Sequence, residues 1–274
     1  MPLSTETLRK RLAGQKWTSH NIRLNDEITT WPEHYDFFRD GRLKAIERVF
    51  QLVFGSDIKG KRIADLGSLE GGFAVACAMR GAEVTGVEAR RVNLEKLLLL
   101  KDHFDDLALE FALADVKDFT AERFGVFDAV LALGILYHLD NPVQWLRQIG
   151  KTTNRLLVVD THFAPADEIA FKQIDPRIGA LSEIEQVEFA GATYSGRWFK
   201  EYEPATDPEH QLWASFSNWR SFWLVKESLL RAIRDAGFDL VFEQHDYSMD
   251  SYHRLSVEFP RILIVAVKIE KGPA

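Results

Sequence analysis

The sequence predicts an α/β fold in which a seven-stranded sheet carries helices on both faces. From residue 61 onward, short apolar runs alternate with amphipathic segments of helical period, and glycine or proline separates them. Residues 1–58 lack this alternation and form an N-terminal extension with a helix predicted over 36–54. We therefore predict a single sheet domain over residues 59–274, preceded by this helical extension. Within that domain, residues 162–222 form an aromatic-rich insert after the fifth strand.

The strongest local pattern lies between residues 61 and 88. An apolar strand over 61–66 leads into a turn that contains Gly67 and Gly71, and a helix over 73–80 follows. A second strand over 83–87 ends on Glu88. Strand, glycine turn, helix, strand and acid form the first half of a Rossmann-like nucleotide-binding unit. In such a unit the acid accepts hydrogen bonds from ribose hydroxyls.

The later elements continue the alternation. Three strands are predicted over 108–113, 127–133 and 155–160. A helix begins at Pro142, because Asp140 and Asn141 supply a cap and proline suits the first turn. A further helix over 226–236 ends at Gly237, and strands over 239–245 and 261–269 bring the total to seven.

Charge distinguishes between the possible nucleotides. A dinucleotide fingerprint requires a second glycine where Leu69 stands. Asp65 and Glu70 are expected to point carboxylates into the space that phosphates would occupy, which is unfavourable at short range. The two acids suit a cofactor with a nucleoside at one end and an ammonium and a sulfonium at the other. S-adenosylmethionine fits that description.

Four segments between Ile63 and about Thr161 resemble the class I S-adenosylmethionine-dependent methyltransferases, with weaker agreement up to residue 269. Asp65-x-Gly67-x-x-x-Gly71 is similar to the acidic first motif of that family, and Glu88 stands at the ribose-binding acid. Asp115 stands at the adenine contact, and residues 127–139 are similar to the fourth-strand motif, whose end faces the transferable methyl group. The resemblance implies that the last two strands pair at one sheet edge. It also implies a set of cofactor-binding residues: Asp65, Gly67, Ser68, Glu70, Gly71, Glu88, Ala89, Asp115, Val116, Leu133 and Gly134.

Each of these positions also has a purely structural interpretation. An acid at the end of a strand is often only solvated, and a glycine can serve the turn alone because it tolerates positive φ. Three acids at the ends of successive strands favour the functional interpretation, since open α/β sheets bind ligands at that edge.

Composition restricts the protein's surroundings and partners. The 274 residues carry a net charge of −7, which argues against the basic surface that nucleic acids require. No apolar run is long enough to span a bilayer, and the N-terminus does not resemble a signal peptide. Cys77 is the single cysteine, so a disulfide within the chain is excluded. We therefore expect a cytoplasmic enzyme that acts on a small molecule and binds no membrane.

His138 is the candidate general base. It follows the fourth strand, and histidine can accept a proton near neutral pH. The alternative is that its ring only packs against the substrate or binds it by a hydrogen bond. The other substrate-binding candidates are aromatic, basic or histidine side chains near the predicted site: Trp31, His34, Tyr35, Tyr137, His162, Arg197 and Trp198. No metal site is expected, because the remaining histidines are scattered and Asp140 with Asn141 suits a helix cap.

The acceptor is left open at this stage. A hydroxyl acceptor is slightly favoured over nitrogen because of His138. Residues 19–36 and 134–139 are loosely similar to a subgroup that contains the enzyme completing the oxyacetic modification of wobble uridine in tRNA, so a tRNA-modifying relative is a second possibility. A third is a cofactor-binding protein without catalysis. The insert is expected to form a lid over the substrate, with the interface of a homodimer as the alternative.

Overall fold

A computed structural model describes residues 2–55, 57–166, 176–189, 191–245 and 260–269. These residues contain ten strands: β1 (Arg62–Leu66), β2 (Glu83–Glu88), β3 (Leu109–Leu113), β4 (Phe127–Leu133), β5 (Thr153–His162), β6 (Glu185–Phe189), β7 (Ala192–Lys200), β8 (Arg220–Leu224), β9 (Leu240–Glu243) and β10 (Arg261–Val267). The helices are α1 (Thr5–Leu12), α2 (Gly41–Phe54), α3 (Gly72–Ala78), α4 (Arg91–His103), α5 (Ala121–Phe124), α6 (Pro142–Thr152) and α7 (Lys226–Asp235).

The large sheet has seven strands in the order β3-β2-β1-β4-β5-β10-β9, which confirms the predicted fold class. The pairs β1–β2, β2–β3 and β4–β5 are parallel. The last two strands pair antiparallel, as expected, and β10 also runs antiparallel beside β5. The contacts within the chain group it into two compact units, Met1–Val116 and Lys117–Ala274.

The N-terminal extension contains more structure than the sequence predicts. The helix expected over 36–54 is divided into a 3-10 turn, Phe37–Arg39, and the helix α2. Asp36 and Asp40 are the cause, because the first caps the amide of Phe38 and the second caps that of Arg42. The helix α1 was not expected; its cap is Ser4, which accepts from the amide of Thr7.

In the second unit, α6 carries an apolar stripe of Val143, Leu146 and Ile149, all fully buried. The strand β5 is longer than predicted at both ends, because Thr153 pairs with Phe127 of β4 and His162 pairs with Arg261 of β10. That histidine is therefore the last residue of β5 and does not lie in a following loop.

Part of the insert forms a sheet of its own, β6-β7-β8, in which both pairs of strands are antiparallel. Phe189, Tyr194 and Phe222 are buried there, whereas Trp213 and Trp219 are exposed. Another insert aromatic, Phe171, lies outside the described residues. In the part of the chain that the structure covers, none of the helices combines the length and apolar character that crossing a bilayer requires.

Candidate active site

The glycine turn after β1 is held against the end of β2. The amides of Gly67 and Ser68 both donate to the carbonyl of Val87, at 2.9 and 3.0 Å. The Ser68 hydroxyl donates to the carbonyl of Asp65 at 2.7 Å, so this side chain closes the turn. Gly71 has a φ of 77°, and a Cβ there would lie 2.7 Å from Leu97. Glycine is therefore required at this position by both backbone conformation and space.

Leu69 occupies a left-handed conformation with a φ of 52°, which glycine adopts more easily. Its amide donates to Oε2 of Glu88 at 2.9 Å, and the amide of Arg90 donates to Oε1 of the same carboxylate. Such a conformation costs on the order of 1–2 kcal/mol and persists only where its surroundings hold it. Glu88 thus links the turn after β1 to the end of β2.

Asp65 and Glu88 are two buried carboxylates in this first unit. Asp65 is 2% exposed, and its Oδ2 has no hydrogen-bond partner among the described residues. Burial raises the pKa of Asp65 to about 7, and the nearby Glu88 contributes to the shift. Burial also raises the pKa of Glu88. An unpaired buried carboxylate oxygen beside a second acid fits a cationic cofactor and opposes a phosphate.

Glu70 does not fit the expectation that it points into the cofactor space. Its carboxylate is fully buried and accepts from the amides of Thr18, Ser19 and His20 at 2.7–2.9 Å. The Lys96 ammonium lies 2.7 Å from the same group. Three backbone donors and an ammonium occupy this carboxylate, so Glu70 fixes the N-terminal extension instead.

His20 ties the same segment to the start of α3. Its Nδ1 accepts from the amide of Gly72 at 3.0 Å, and its ring packs between Phe37 and Phe73. Burial lowers the pKa of His20 to about 4, which keeps the ring neutral and able to accept. Residues 18–20 are therefore joined to the glycine turn through Glu70 and to the start of α3 through His20. The sequence predicts neither connection.

The other predicted cofactor residues lie at the ends of their strands. Ala89 follows β2, and Asp115 and Val116 follow β3, where the amide of Ala114 donates to the carbonyl of Glu88 at 2.9 Å. In the second unit, Leu133 ends β4, and the amide of Gly134 donates to the backbone carbonyl of Asp160 at 2.8 Å. Their contact with a cofactor stays a prediction.

His138 closes a short 3-10 turn, Leu136–His138, directly after β4. Its Nδ1 lies 3.0 Å from both carboxylate oxygens of Glu201, which comes from the insert. The Glu201 side chain is 2% exposed and that of His138 is 13% exposed. No local pattern points to Glu201, since 63 residues separate it from His138.

A cluster of rings and charges adjoins this histidine. Tyr137 packs edge-on against His162, with ring centres 4.7 Å apart, and His162 stacks on Trp223 at 5.1 Å. Asp160 and Arg261 form a two-pronged ion pair at 2.8 and 2.7 Å, and Nη1 of Arg261 lies 3.4 Å from Nε2 of His162. Burial raises the pKa of Tyr137, so its hydroxyl remains a donor at neutral pH. Sequence reasoning missed Asp160, Arg261 and Trp223.

The remaining substrate candidates fall into two further groups. In the first unit, Trp31 stacks on His34 with ring centres 4.3 Å apart, and the Tyr35 hydroxyl donates to Asp40. In the small sheet of the insert, Trp198 packs against Phe222 and the guanidinium of Arg220.

Arg197 has a structural role that the sequence did not indicate. It is 4% exposed and donates to the carbonyls of Pro165 and Ser182 at 3.2 and 2.9 Å. The guanidinium thus binds backbone carbonyls within the insert, whereas the sequence suggested a contact with the substrate. Within the described residues, no group of three or more histidine, cysteine, aspartate or glutamate side chains is arranged to hold a metal ion.

Comparisons with known proteins agree with this fold. A family model described as a methyltransferase domain matches residues 36–243. The ubiquinone biosynthesis O-methyltransferase of Chromobacterium violaceum is 33% identical over 92 residues, which are 34% of this chain and 39% of that protein. The tRNA U34 carboxymethyltransferase of Dichelobacter nodosus is 29% identical over 114 residues, or 39% of this chain and 36% of the relative. The chain therefore spans about two fifths of the length of these curated relatives.

A solved structure covers nearly the whole chain. The N-terminal domain of EvdMO1, crystallised in the presence of SAH and D-fucose, is 22% identical with a TM-score of 0.71, and the match covers 98% of both chains. Magnesium protoporphyrin IX methyltransferase (ChlM) from Synechocystis PCC 6803, with bound SAH, is 16% identical with a TM-score of 0.51 and 84% of both chains covered. These likenesses support the Rossmann-like fold.

The fold and the glycine turn with its buried acids define a class I methyltransferase that uses S-adenosylmethionine. The chain belongs to the methyltransferase domain family, whose model covers more than half of its length. That Asp65, the glycine turn and Glu88 in the first unit hold the cofactor stays a prediction. When bound, the cofactor supplies a methyl group activated by a sulfonium.

Proposed function

We propose that this enzyme methylates a hydroxyl oxygen of a small-molecule acceptor, with His138 as the general base. One observation carries the proposal: Nε2 of His138 has no hydrogen-bond partner among the described residues, while Nδ1 is engaged. The ring is also packed against Tyr137, with ring centres 4.2 Å apart. A fixed imidazole with one unengaged nitrogen suits proton removal.

The chemistry of methyl transfer explains why a general base in the site favours an oxygen acceptor. An activated methyl group requires mainly an aligned nucleophile and exclusion of water. A neutral amine, carboxylate or thiolate attacks without losing a proton first, whereas a hydroxyl gains from a base in reach. A positioned base contributes about 10²–10⁴-fold to such a step.

The relatives suggest which hydroxyls to test. Ubiquinone biosynthesis O-methyltransferases recur among the curated relatives, and their name specifies transfer to oxygen. The neighbouring EvdMO1 domain was crystallised with a sugar, D-fucose. Phenols and sugar hydroxyls are therefore the two acceptor classes to compare first.

The test is turnover with S-adenosylmethionine and matched sets of phenols, sugars and amines, followed by assignment of the methylated atom by NMR. We expect an O-methyl product. His138→Ala should lower kcat about a hundredfold or more, while affinity for SAH stays near that of the parent enzyme. The exposed His210 provides the control, because His210→Ala should change neither value. An N-methyl product, or a His138→Ala variant with full kcat, would refute the proposal.

A tRNA substrate is the second candidate, because the tRNA U34 carboxymethyltransferase is among the relatives. The net charge of −7 speaks against it, since binding to RNA depends on clustered cationic side chains. A mobility shift with bulk tRNA at low and moderate salt separates the two candidates. Salt-sensitive binding followed by methylation of the RNA would favour tRNA.

We further propose that the insert helps to hold the acceptor. Its support is that the insert supplies three contacts to the turn of His138: Glu201 to the ring, Asn218 to the carbonyl of His138 at 2.9 Å, and Phe222 to that of Leu139 at 2.8 Å. Hydrogen exchange in residues 191–222 should slow when acceptor and SAH bind, by more than in β4 and β5. Loss of a dimer on deleting the insert, measured by light scattering, would instead favour a dimer interface.

A further inference from the structure

We propose that Glu201 is a positioning residue for His138: it holds the neutral imidazole in the tautomer that carries its proton on Nδ1, so that the lone pair lies on Nε2. This inference rests on the proposed function, because it assigns Nε2 as the atom that receives the proton of the acceptor. Its basis is geometric. Both oxygens of Glu201 lie 3.0 Å from Nδ1 of His138, and an ionised carboxylate can only accept a hydrogen bond.

Glu201 is itself fixed from two sides. Its backbone amide donates to the carbonyl of Trp219 at 2.9 Å, and the amide of Ser215 donates to Oε2 at 3.1 Å. The carboxylate is therefore held by the loop between β7 and β8, within the insert.

Because Glu201 is buried, its carboxylate depends on the few hydrogen-bond donors that face it. Its side chain is 2% exposed, and no lysine or arginine pairs with it in the described part of the chain. The amide of Ser215 and Nδ1–H of His138 are the donors that face it. A buried carboxylate that lost the imidazole donor would be left with one hydrogen bond, which is costly. The other tautomer, with its proton on Nε2, would place a lone pair against this anion.

The turn that carries His138 is fixed separately from its ring. Asn218 Nδ2 donates to the carbonyl of His138, and Tyr137 packs against the imidazole. These contacts position the ring in space, but they do not select its tautomer. Glu201 is the group in the described structure that does so.

In the proposed step, the proton moves to His138 and the electron pair of the broken bond moves to sulfur. The acceptor hydroxyl passes its proton to Nε2 as its oxygen bonds to the methyl carbon, and the carbon–sulfur bond breaks with its electron pair left on sulfur. The imidazole becomes an imidazolium with both nitrogens protonated. Glu201 then faces a cation, so that the carboxylate stabilises the charge that develops during transfer without taking the proton itself.

A measurement on the parent enzyme tests the tautomer without any activity assay. At about pH 8.5, above the ordinary range of histidine, long-range nitrogen–proton NMR distinguishes a protonated ring nitrogen from an unprotonated one. His138→Asn identifies the signals. We expect a protonated Nδ1 and an unprotonated Nε2. The reverse assignment would overturn the inference and leave the assignment of the reaction as O-methylation standing.

Kinetics test the consequence. Glu201→Gln keeps the shape of the side chain, but its amide can donate to Nδ1 and so favour the wrong tautomer. We expect kcat to fall about 10²–10⁴-fold with SAH affinity unchanged. Glu203→Gln is the matched control, since Glu203 lies on the exposed surface two residues away. An unchanged kcat in Glu201→Gln would overturn the proposal.

The double variant separates this inference from the proposed function. If Glu201 acts through His138, then Glu201→Gln should cause little further loss in a His138→Ala background. An equal loss in both backgrounds would show that Glu201 acts elsewhere. A His138→Ala enzyme with full activity would refute the base instead, while the NMR assignment would still report on Glu201.

Discussion

Lys96 and Glu70 form an ion pair 2.7 Å long, in which the two side chains are 1% and 0% exposed. The pair joins α4 to the loop that precedes α3. The centre of the Trp17 ring lies 5.6 Å from the ammonium of Lys96. Burying two opposite charges is tolerated only where both are fully hydrogen-bonded, which the amides of Thr18, Ser19 and His20 achieve for the carboxylate.

Removing one partner of this pair should be strongly destabilising. We expect Lys96→Met to lower the free energy of unfolding by about 3–5 kcal/mol, because it leaves a buried carboxylate without a cation. The control is Lys101→Met in the same helix, whose pair with Glu110 is exposed and is worth about 0–1 kcal/mol. Urea unfolding measures both variants. Equal losses would contradict the interpretation.

Elements that depend on local sequence patterns were predicted correctly, whereas those that depend on contacts between distant residues were not. The bounds of β4 and the first residue of α6 were predicted correctly, because a short apolar run and a capped proline are local features. The sheet of the insert was not predicted, since β7 and β8 are separated by a long loop and pair only in three dimensions.

The candidate site shows the same division. The positions of Asp65 and Glu88 near the ends of β1 and β2 could be predicted from the sequence, and their contact with a cofactor stays a prediction. The contacts of Glu70 with residues 18–20 could not be predicted, since nothing local reveals that this segment packs against it. Glu201 was missed for the same reason.

Asp65 should make the ligand-free enzyme less stable as pH rises. Burial raises its pKa from 3.8 to about 7, so the folded state binds more protons than the unfolded state between these values. Its contribution to stability is therefore fully present below about pH 4 and is lost as pH rises through about 7. The shift corresponds to up to about 4 kcal/mol.

The substitution Asp65→Asn removes this titration. We expect the variant to exceed the parent in unfolding free energy at about pH 8 and to match it at about pH 4. Its affinity for SAH should fall by roughly 1.5–3 kcal/mol, because a hydrogen bond to a charged group is lost. Urea unfolding and calorimetric titration check the two halves. A variant that is less stable than the parent at pH 8 would refute the argument.

His20 should act in the opposite direction. Burial lowers its pKa from 6.5 to about 4, so the unfolded state binds more protons in this window. The stability it contributes is present above about pH 6.5 and is lost as pH falls through about 4, by about 3 kcal/mol in total.

The comparison is between the parent and His20→Asn, whose side-chain oxygen can still accept from the amide of Gly72. We expect the parent to lose its advantage over the variant as pH falls from 6.5 to 4, measured by urea unfolding. His210→Asn serves as an exposed control with no such dependence. A parent-minus-variant difference that is constant across this range would show that His20 is not held neutral.

Glu88 provides the test of cofactor choice. Its two oxygens already accept from the amides of Leu69 and Arg90, and we expect ribose hydroxyls to donate to the same carboxylate. Glu88→Ala should therefore weaken SAH binding by roughly 1–3 kcal/mol in calorimetric titration, while NAD fails to bind the parent enzyme. Glu83→Ala, on the exposed first residue of the same strand, should leave SAH affinity unchanged.

Glu88→Gln separates the ribose contact from the structural contact. Its amide oxygen can accept from one backbone amide, but the NH₂ group cannot replace the second acceptor. The left-handed Leu69 then loses part of what holds it, so the turn should loosen even without ligand. We expect faster hydrogen exchange at the amide of Leu69 in both variants and an unchanged rate in Glu83→Ala. Tight NAD binding without a response to SAH would overturn the assignment, because a pyrophosphate would then lie beside Asp65 and Glu88.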